Sequence, residues 1–232
     1  MQDGTIALID YGAGNLTSVR KAFAAVGANL FVPETPADVE RATAIVVPGV
    51  GHFDATRALD ATWVEAILAR VGEGRPLLGI CLGMQWLFEG SDEAPDCAGL
   101  GLLAGRCYRL QGRAPERRDV RLKPDATIKD TSDSRRVRFE PDPAIKVPHV
   151  GWNTLEIRGE ASLVEGVQSG AQVYFTHSFV APVTGDTVAV AEHGERFAAI
   201  VQRGYIAGVQ FHPEKSGEVG LMILRNFVRL AE

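Results

Sequence analysis

Three short apolar runs rich in β-formers, Thr5–Ile9, Ala44–Val47 (AIVV) and Leu77–Ile80 (LLGI), are separated by stretches with helical spacing. Leu16, Val19, Ala22, Phe23 and Val26 fall on one helical face. Trp63, Ile67, Leu68 and Val71 form a second stripe that ends at Gly72 and Gly74. Strands this short and this uniformly apolar have to be covered on both faces, and the intervening helices supply the cover. The first third therefore predicts a mainly parallel sheet between helical layers. Ligands of such sheets bind beyond the carboxyl ends of the strands, so chemistry is to be sought just after Val47 and Ile80.

The last third changes character. Val173–Phe179, Thr187–Glu192, Ala198–Gln202 and Ile206–Phe211 read as short strands with turn signals between them (Gly185-Asp186, His193-Gly194, Arg203-Gly204). Val219–Leu230 follows with a helical stripe of Leu221, Leu224, Phe227 and Val228. These elements are expected to add antiparallel strands to the same domain, so residues 1–232 form one unit. Residues 111–142 stand apart, with nine basic and seven acidic residues and few apolar ones. Such a segment cannot bury a core of its own and reads as a solvated surface excursion.

Composition excludes several function classes. A formal charge of −5 argues against a protein that grips nucleic acid or an anionic membrane. No segment approaches the roughly 20 apolar residues of a membrane helix. Three cysteines without paired spacing suit a reducing compartment, and residues 1–10 do not read as a secretory signal, so a cytoplasmic protein is expected. The five histidines are widely separated, and Cys97 and Cys107 lack a second pair, so no metal site is expected. Pro48-Gly49-Val50-Gly51-His52 and Gly12-Ala13-Gly14-Asn15 are glycine loops, but both lack the third glycine of a dinucleotide fingerprint, and no ATP-binding GxxxxGK[ST] run exists. No cofactor is implied.

The sharpest pattern is Gly79-Ile80-Cys81-Leu82-Gly83, where an apolar strand runs into the helix-compatible Met84–Phe88. Small residues around a nucleophile permit the tight strand-to-helix turn that presents it. The N-terminus of the following helix favours a thiolate, and the Leu82 N–H can serve a developing oxyanion. Taken alone, the pentapeptide is equally the layout of a structural cysteine between packing glycines. A thiol nucleophile needs a base, and the base an orienter. Gln210-Phe211-His212-Pro213-Glu214 offers both, with His212 and Glu214 two apart at the end of a strand and Pro213 stiffening the link. His177, on an apolar strand, reads as a hydrogen-bonded core histidine.

Four motifs in order, PGVGHF (Pro48–Phe53), GICLGMQ (Gly79–Gln85), VPHVGWN (Val147–Asn153) and QFHPEKS (Gln210–Ser216), resemble the glutamine amidotransferase subunits of imidazole glycerol phosphate synthases. GICLG and HPE alone indicate the wider class of triad glutamine amidotransferases; Met84-Gln85, VPHVGWN and Lys215-Ser216 narrow it to the histidine-pathway member. The resemblance implies an α/β, flavodoxin-like fold with a mainly parallel central sheet, flanking helices and added antiparallel strands. It implies a Cys81-His212-Glu214 glutaminase with an oxyanion hole from Leu82 and the Gly49-Val50-Gly51 loop. Gln85, Glu93, Ser178 and Phe179 would contact glutamine; the family often has tyrosine where Phe179 stands, a change that a backbone contact would survive and a hydroxyl contact would not. The implied partner is a (β/α)₈-barrel cyclase that receives ammonia in a heterodimer, with Asn15, Trp152, Tyr174 and Lys215 at the docking face. An amidotransferase subunit of another pathway, or a non-catalytic regulatory module, is the rival reading. The glycine pair around Val50 further suggests a loop whose flip switches the oxyanion hole.

Overall fold

The computed structural model describes residues 5–112 and 145–231. The charged excursion expected at 111–142 thus lies outside the described residues, apart from Gln111 and Gly112. In chain order the strands are β1 (Thr5–Leu8), β2 (Asn29–Phe31), β3 (Ala44–Val47), β4 (Leu77–Ile80), β5 (Gly90–Ser91), β6 (Ala94–Ala98) and β7 (Arg106–Arg109). There follow β8 (His149–Thr154), β9 (Glu156–Ile157), β10 (Gln172–His177), β11 (Phe179–Val180), β12 (Thr187–Glu192), β13 (Arg196–Arg203) and β14 (Ile206–Val209). The helices are α1 (Leu16–Ala25), α2 (Ala61–Gly72), α3 (Leu82–Trp86) and α4 (Gly217–Leu230).

The main sheet has eight strands in the order β2-β1-β3-β4-β14-β13-β12-β9. Its first five strands are mutually parallel, and their order is the flavodoxin-like one. β13, β12 and β9 extend it antiparallel. Residue alternation sends successive side chains to opposite faces. Ile6, Leu8, Ala44, Val46, Leu78 and Ile80 join a core with Phe23, Phe175 and Phe227. Ala7, Ile9, Ile45, Val47 and Leu77 join the other, with Phe53, Ile67 and Trp86. On the first face α1 meets α4 through an edge-to-face Phe23–Phe227 pair at 6.4 Å.

Three expectations change. Ile206–Phe211, grouped with the added antiparallel strands, contains β14, which pairs parallel with β4 and is antiparallel only to β13. The run Val173–Phe179 breaks at Ser178 into β10 and β11, and neither belongs to the main sheet. β10 pairs with β8 alone, and β11 joins β7, β5 and β6 in a separate four-stranded sheet. These small sheets were hard to read because their strands contain Gly151, Pro95 and Asp96, residues that ordinarily interrupt strands. The helix expected over Met84–Phe88 starts at Leu82 and spans five residues. A dipole of so few peptides contributes little, so the charge on any thiolate must be held by neighbouring groups.

Candidate active site

Cys81 stands between β4 and α3 with φ 53° and ψ −107°, the single non-glycine residue with positive φ among the described residues. The sharp turn needs a close backbone approach beside it. A Cβ at Gly83 would lie 1.8 Å from the carbonyl oxygen of Val47, so only glycine lets the two chain segments meet. The Cys81 N–H donates to Val209 O at 2.7 Å, which ties the elbow to the end of β14.

His212 and Glu214 follow that same strand end, although not on a strand: Pro213–Lys215 is a 3₁₀ turn. Pro213 has the fixed φ and missing N–H that suit the first position of such a turn. The pairing survives the change of geometry. His212 Nδ1 and Glu214 Oε1 are 2.8 Å apart, and both side chains are buried. His212 Nε2 has no hydrogen-bond partner and is free to serve the sulfur side. Burial alone would depress the imidazole, but Cys81 and Glu214 outweigh it and hold the pKa up at about 10. His212 is therefore charged at neutral pH and stabilises negative charge on the group it faces.

Cys81, Leu82, Gln85, Glu93, Ser178 and Phe179 line one cleft of about 220 Å³, with Gly51 at its rim. That is below the usual range for drug-sized ligands and suits a small polar molecule. Glu93 Oε2 accepts the Phe53 N–H at 2.8 Å, which fixes its carboxylate at the cleft wall. Gln85 Nε2 donates to Phe179 O at 2.9 Å and to Gln210 Oε1 at 3.1 Å, so only its oxygen is free for a ligand. The Phe179 carbonyl accepts from both Gln85 and His177, so it is already committed. Any backbone contact from Phe179 to a ligand must use another group.

The oxyanion loop differs from expectation in one respect. The Leu82 N–H donates to Gly49 O at 3.3 Å and is not free. Gly49 itself is wedged: a Cβ there would lie 2.1 Å from the Tyr11 hydroxyl and 2.8 Å from Leu82 Cβ. Gly51 is in the left-handed region at φ +113°, and Val50 between the two glycines is exposed.

The remaining sequence candidates divide. Asn15 caps α1, its Oδ1 accepting the Ser18 N–H at 3.2 Å. Trp152 is 56% exposed, meets Tyr174 edge-to-face at 6.0 Å, and Lys215 Nζ lies 5.8 Å from the Tyr174 ring. Trp152 is thus an exposed aromatic and not a core residue. Val150, on the same strand, is equally exposed. Among the described residues no cluster of three or more His, Cys, Asp or Glu side chains could hold a metal, and no helix is long and apolar enough to cross a membrane.

Sequence reasoning placed His177 as a bonded core histidine but missed the chain around it. The Asn153 amide donates to Glu192 O at 2.8 Å, so its nitrogen also faces His149 Nε2, 3.2 Å away. His149 Nε2 is then an acceptor, so its Nδ1–H donates to His177 Nε2 at 3.2 Å. The His177 Nδ1–H in turn donates to Phe179 O at 3.1 Å. Both rings are neutral: burial lowers His149 to about 4 and His177 to about 3. Gln210 was also missed as a site residue. The signal was present, since it is the lone polar side chain in the apolar run Ile206–Phe211.

A cysteine on a strained strand-to-helix turn thus stands beside a buried His-Glu pair from a neighbouring strand end of a flavodoxin-like sheet. The family model for class I glutamine amidotransferases matches residues 7–231. The imidazole glycerol phosphate synthase subunit HisH of Syntrophotalea carbinolica is 42% identical, covering 96% of this chain and 98% of that protein. The HisH subunit of Deinococcus radiodurans is 41% identical over 97% of this chain and 93% of its own length. Among solved structures, a glutamine amidotransferase superposes with a TM-score of 0.66 at 20% identity over 98% of this chain and 99% of that one. The chain belongs to the class I glutamine amidotransferases and, within them, to the HisH subunits of imidazole glycerol phosphate synthase.

Proposed function

We propose that the chain is the glutaminase subunit of a histidine-biosynthetic amidotransferase, with Cys81 as nucleophile, His212 as proton carrier and Glu214 as its orienter. Cys81 Sγ attacks the side-chain amide carbon of glutamine. The C–N bond breaks as His212 Nε2 delivers its proton to the departing ammonia, leaving a glutamyl thioester. His212 then takes a proton from water, whose oxygen opens the thioester to glutamate and restores the thiolate. Glu214 keeps Nδ1 occupied, so only Nε2 faces the reaction. Gln85, Glu93, Ser178 and Phe179 hold the substrate, and the fixed carboxylate of Glu93 suits its ammonium group. The observation that carries this reading is the positive-φ Cys81 opening into the same cleft as Glu93, with the 2.8 Å His212–Glu214 contact behind it.

Ammonia in neutral water is mostly protonated and loses its nucleophilicity, so the product needs a sheltered route to its acceptor. We infer a (β/α)₈-barrel cyclase as heterodimeric partner, which joins the nitrogen to a ribulosyl-formimino aminoimidazole carboxamide nucleotide and releases imidazole glycerol phosphate, in the cytoplasm. Exposed Trp152, with Val150, Tyr174, Lys215 and Asn15, gives the docking face its aromatic and charged anchors. The Gly49 carbonyl now occupies the Leu82 N–H. Rotating the Gly49–Val50 peptide would replace it with the Val50 N–H and create an oxyanion hole, which supports switching by the partner and its nucleotide.

The test is glutamate release from glutamine, with and without the cyclase and its nucleotide, beside Cys81→Ala. Strong turnover with both present, absent in Cys81→Ala, is expected. Equal turnover by the chain alone would retain the triad and remove the gate. No turnover under any condition would favour another pathway or a regulatory module.

A further inference from the structure

The triad leaves one buried polar group beside the nucleophile without a role. Gln210 is fully buried at the end of β14, and its Nε2 lies 3.6 Å from Cys81 Sγ. A buried amide is often satisfied packing and no more, so the orientation of this one decides its meaning. An amide nitrogen and oxygen look alike, and the surrounding network assigns them.

Here the assignment starts from an unambiguous atom. Phe179 O is a backbone carbonyl and can only accept, so the atom of Gln85 facing it at 2.9 Å is its nitrogen. That nitrogen also meets Gln210 at 3.1 Å, so the Gln210 atom there must be the oxygen. The other end of the Gln210 amide, facing Cys81, is then the NH₂ group. The backbone carbonyl thus sets two side-chain amides in series and leaves a donor aimed at the sulfur. Gln85 is itself only 4% exposed, so solvent does not compete for the chain.

We propose that Gln210 activates the nucleophile, its side-chain amide donating to Cys81 Sγ and stabilising the thiolate over the neutral thiol. A donor facing sulfur gains most when the sulfur is charged, since charge-assisted hydrogen bonds are the stronger ones. The other titratable groups facing the sulfur are His212 with Glu214 from the β14 end, Tyr11 from the β1 end, and Glu93 and His177 across the cleft, and the Thr176 carbonyl lies 4.0 Å from Sγ as a weak acceptor for the neutral thiol. His212 has its proton to give to the leaving group, whereas Gln210 has none to transfer. Its donor therefore persists through the thioester stage and is in place when the thiolate returns. Gln210 also holds Gln85, so nucleophile and substrate wall share one chain of hydrogen bonds.

The inference rests on Cys81 being the nucleophile, and the experiment separates the two. Iodoacetamide alkylation of Cys81 is followed against pH in the full chain, with Cys81→Ala subtracting Cys97 and Cys107, alongside glutaminase kinetics in the complex. In Gln210→Met, alkylation at pH 7 should slow about tenfold, the loss carried by one hydrogen bond to a charged group. It should recover at higher pH, while kcat falls by a similar factor and KM changes far less. Gln210→Asn, which keeps the amide but draws it back, should behave likewise and serves if the Met variant does not fold. A folded variant with the wild-type pH profile of alkylation would overturn the role of Gln210. Full glutaminase activity in Cys81→Ala would overturn the nucleophile assignment instead.

Discussion

Two histidine groups lie within electrostatic reach of one another and are in opposite charge states. His212 is buried beside the Glu214 carboxylate and the Cys81 sulfur, and its pKa rises to about 10. His149 and His177 are buried among an asparagine amide, each other and a carbonyl, with the His193 ring stacked on His149 at 4.1 Å, and burial first, then the neighbouring histidines, lowers them to about 4 and 3. Burial is common to both groups. The difference is a single carboxylate with the sulfur next to it. One group thus holds its proton at neutral pH, and the other is neutral and donates to the backbone carbonyl of Phe179.

The most direct way to break the contrast is Glu214→Gln. The amide can no longer balance an imidazolium and admits the wrong tautomer, so glutaminase activity should fall at least about a hundredfold. The His212 ring should titrate well below 10 when followed by NMR. Wild-type titration in that variant would remove Glu214 from its role.

Stability against pH should sharpen the same contrast. Unfolded histidines titrate near 6.5, above the folded values of about 4 and 3, so the unfolded chain binds more protons in that window. The histidine chain therefore contributes stability that is present above pH 6.5 and lost as the pH falls toward 4. His212 has the opposite sign: its contribution is present below pH 6.5 and lost as the pH rises through about 10. Denaturant midpoints measured across pH should fall on both sides. A flat acid limb in wild type that matches a His149→Phe variant would refute the buried neutral pair.

A smaller effect is expected from Asn153→Asp. It places a carboxylate 3.2 Å from His149 Nε2, where the amide nitrogen stood, and should raise that ring from about 4. The acid loss of stability should shrink, at the expense of the Asn153 bond to Glu192 O. Turnover should change less than about threefold, since the reacting atoms are untouched. A larger drop would mean that His177 carries more than orientation.

How much of this was legible beforehand follows from what kind of signal each part leaves. Three of the five parallel strands, β1, β3 and β4, could be read because a sheet covered on both sides demands apolar runs, whereas the three-residue edge strand β2 left no such run and β14 shows no sign of its direction in sequence. The sharp turn at Cys81 and the closeness of His212 to Glu214 could be read because glycine and proline mark the segments around them. β8 was poorly legible, since Gly151 and a polar alternation on one exposed face blur the period, and β10 was legible as a strand but not as the partner of β8. The helical start at Leu82 was missed because a five-residue helix is too short to show periodicity. The occupied Leu82 N–H and the orientation of Gln210 lie beyond sequence, because each depends on which way a peptide or amide faces in three dimensions.

The turn at Cys81 carries one further consequence. A φ of 53° is a conformation that a side chain opposes and glycine accepts freely. Cys81→Gly should therefore produce a chain that is catalytically dead and yet harder to unfold than the native one, by about 1 kcal/mol. Cys81→Ala, equally dead, keeps the Cβ and should show no such gain. On stability alone the backbone at this position favours glycine over the cysteine that stands there.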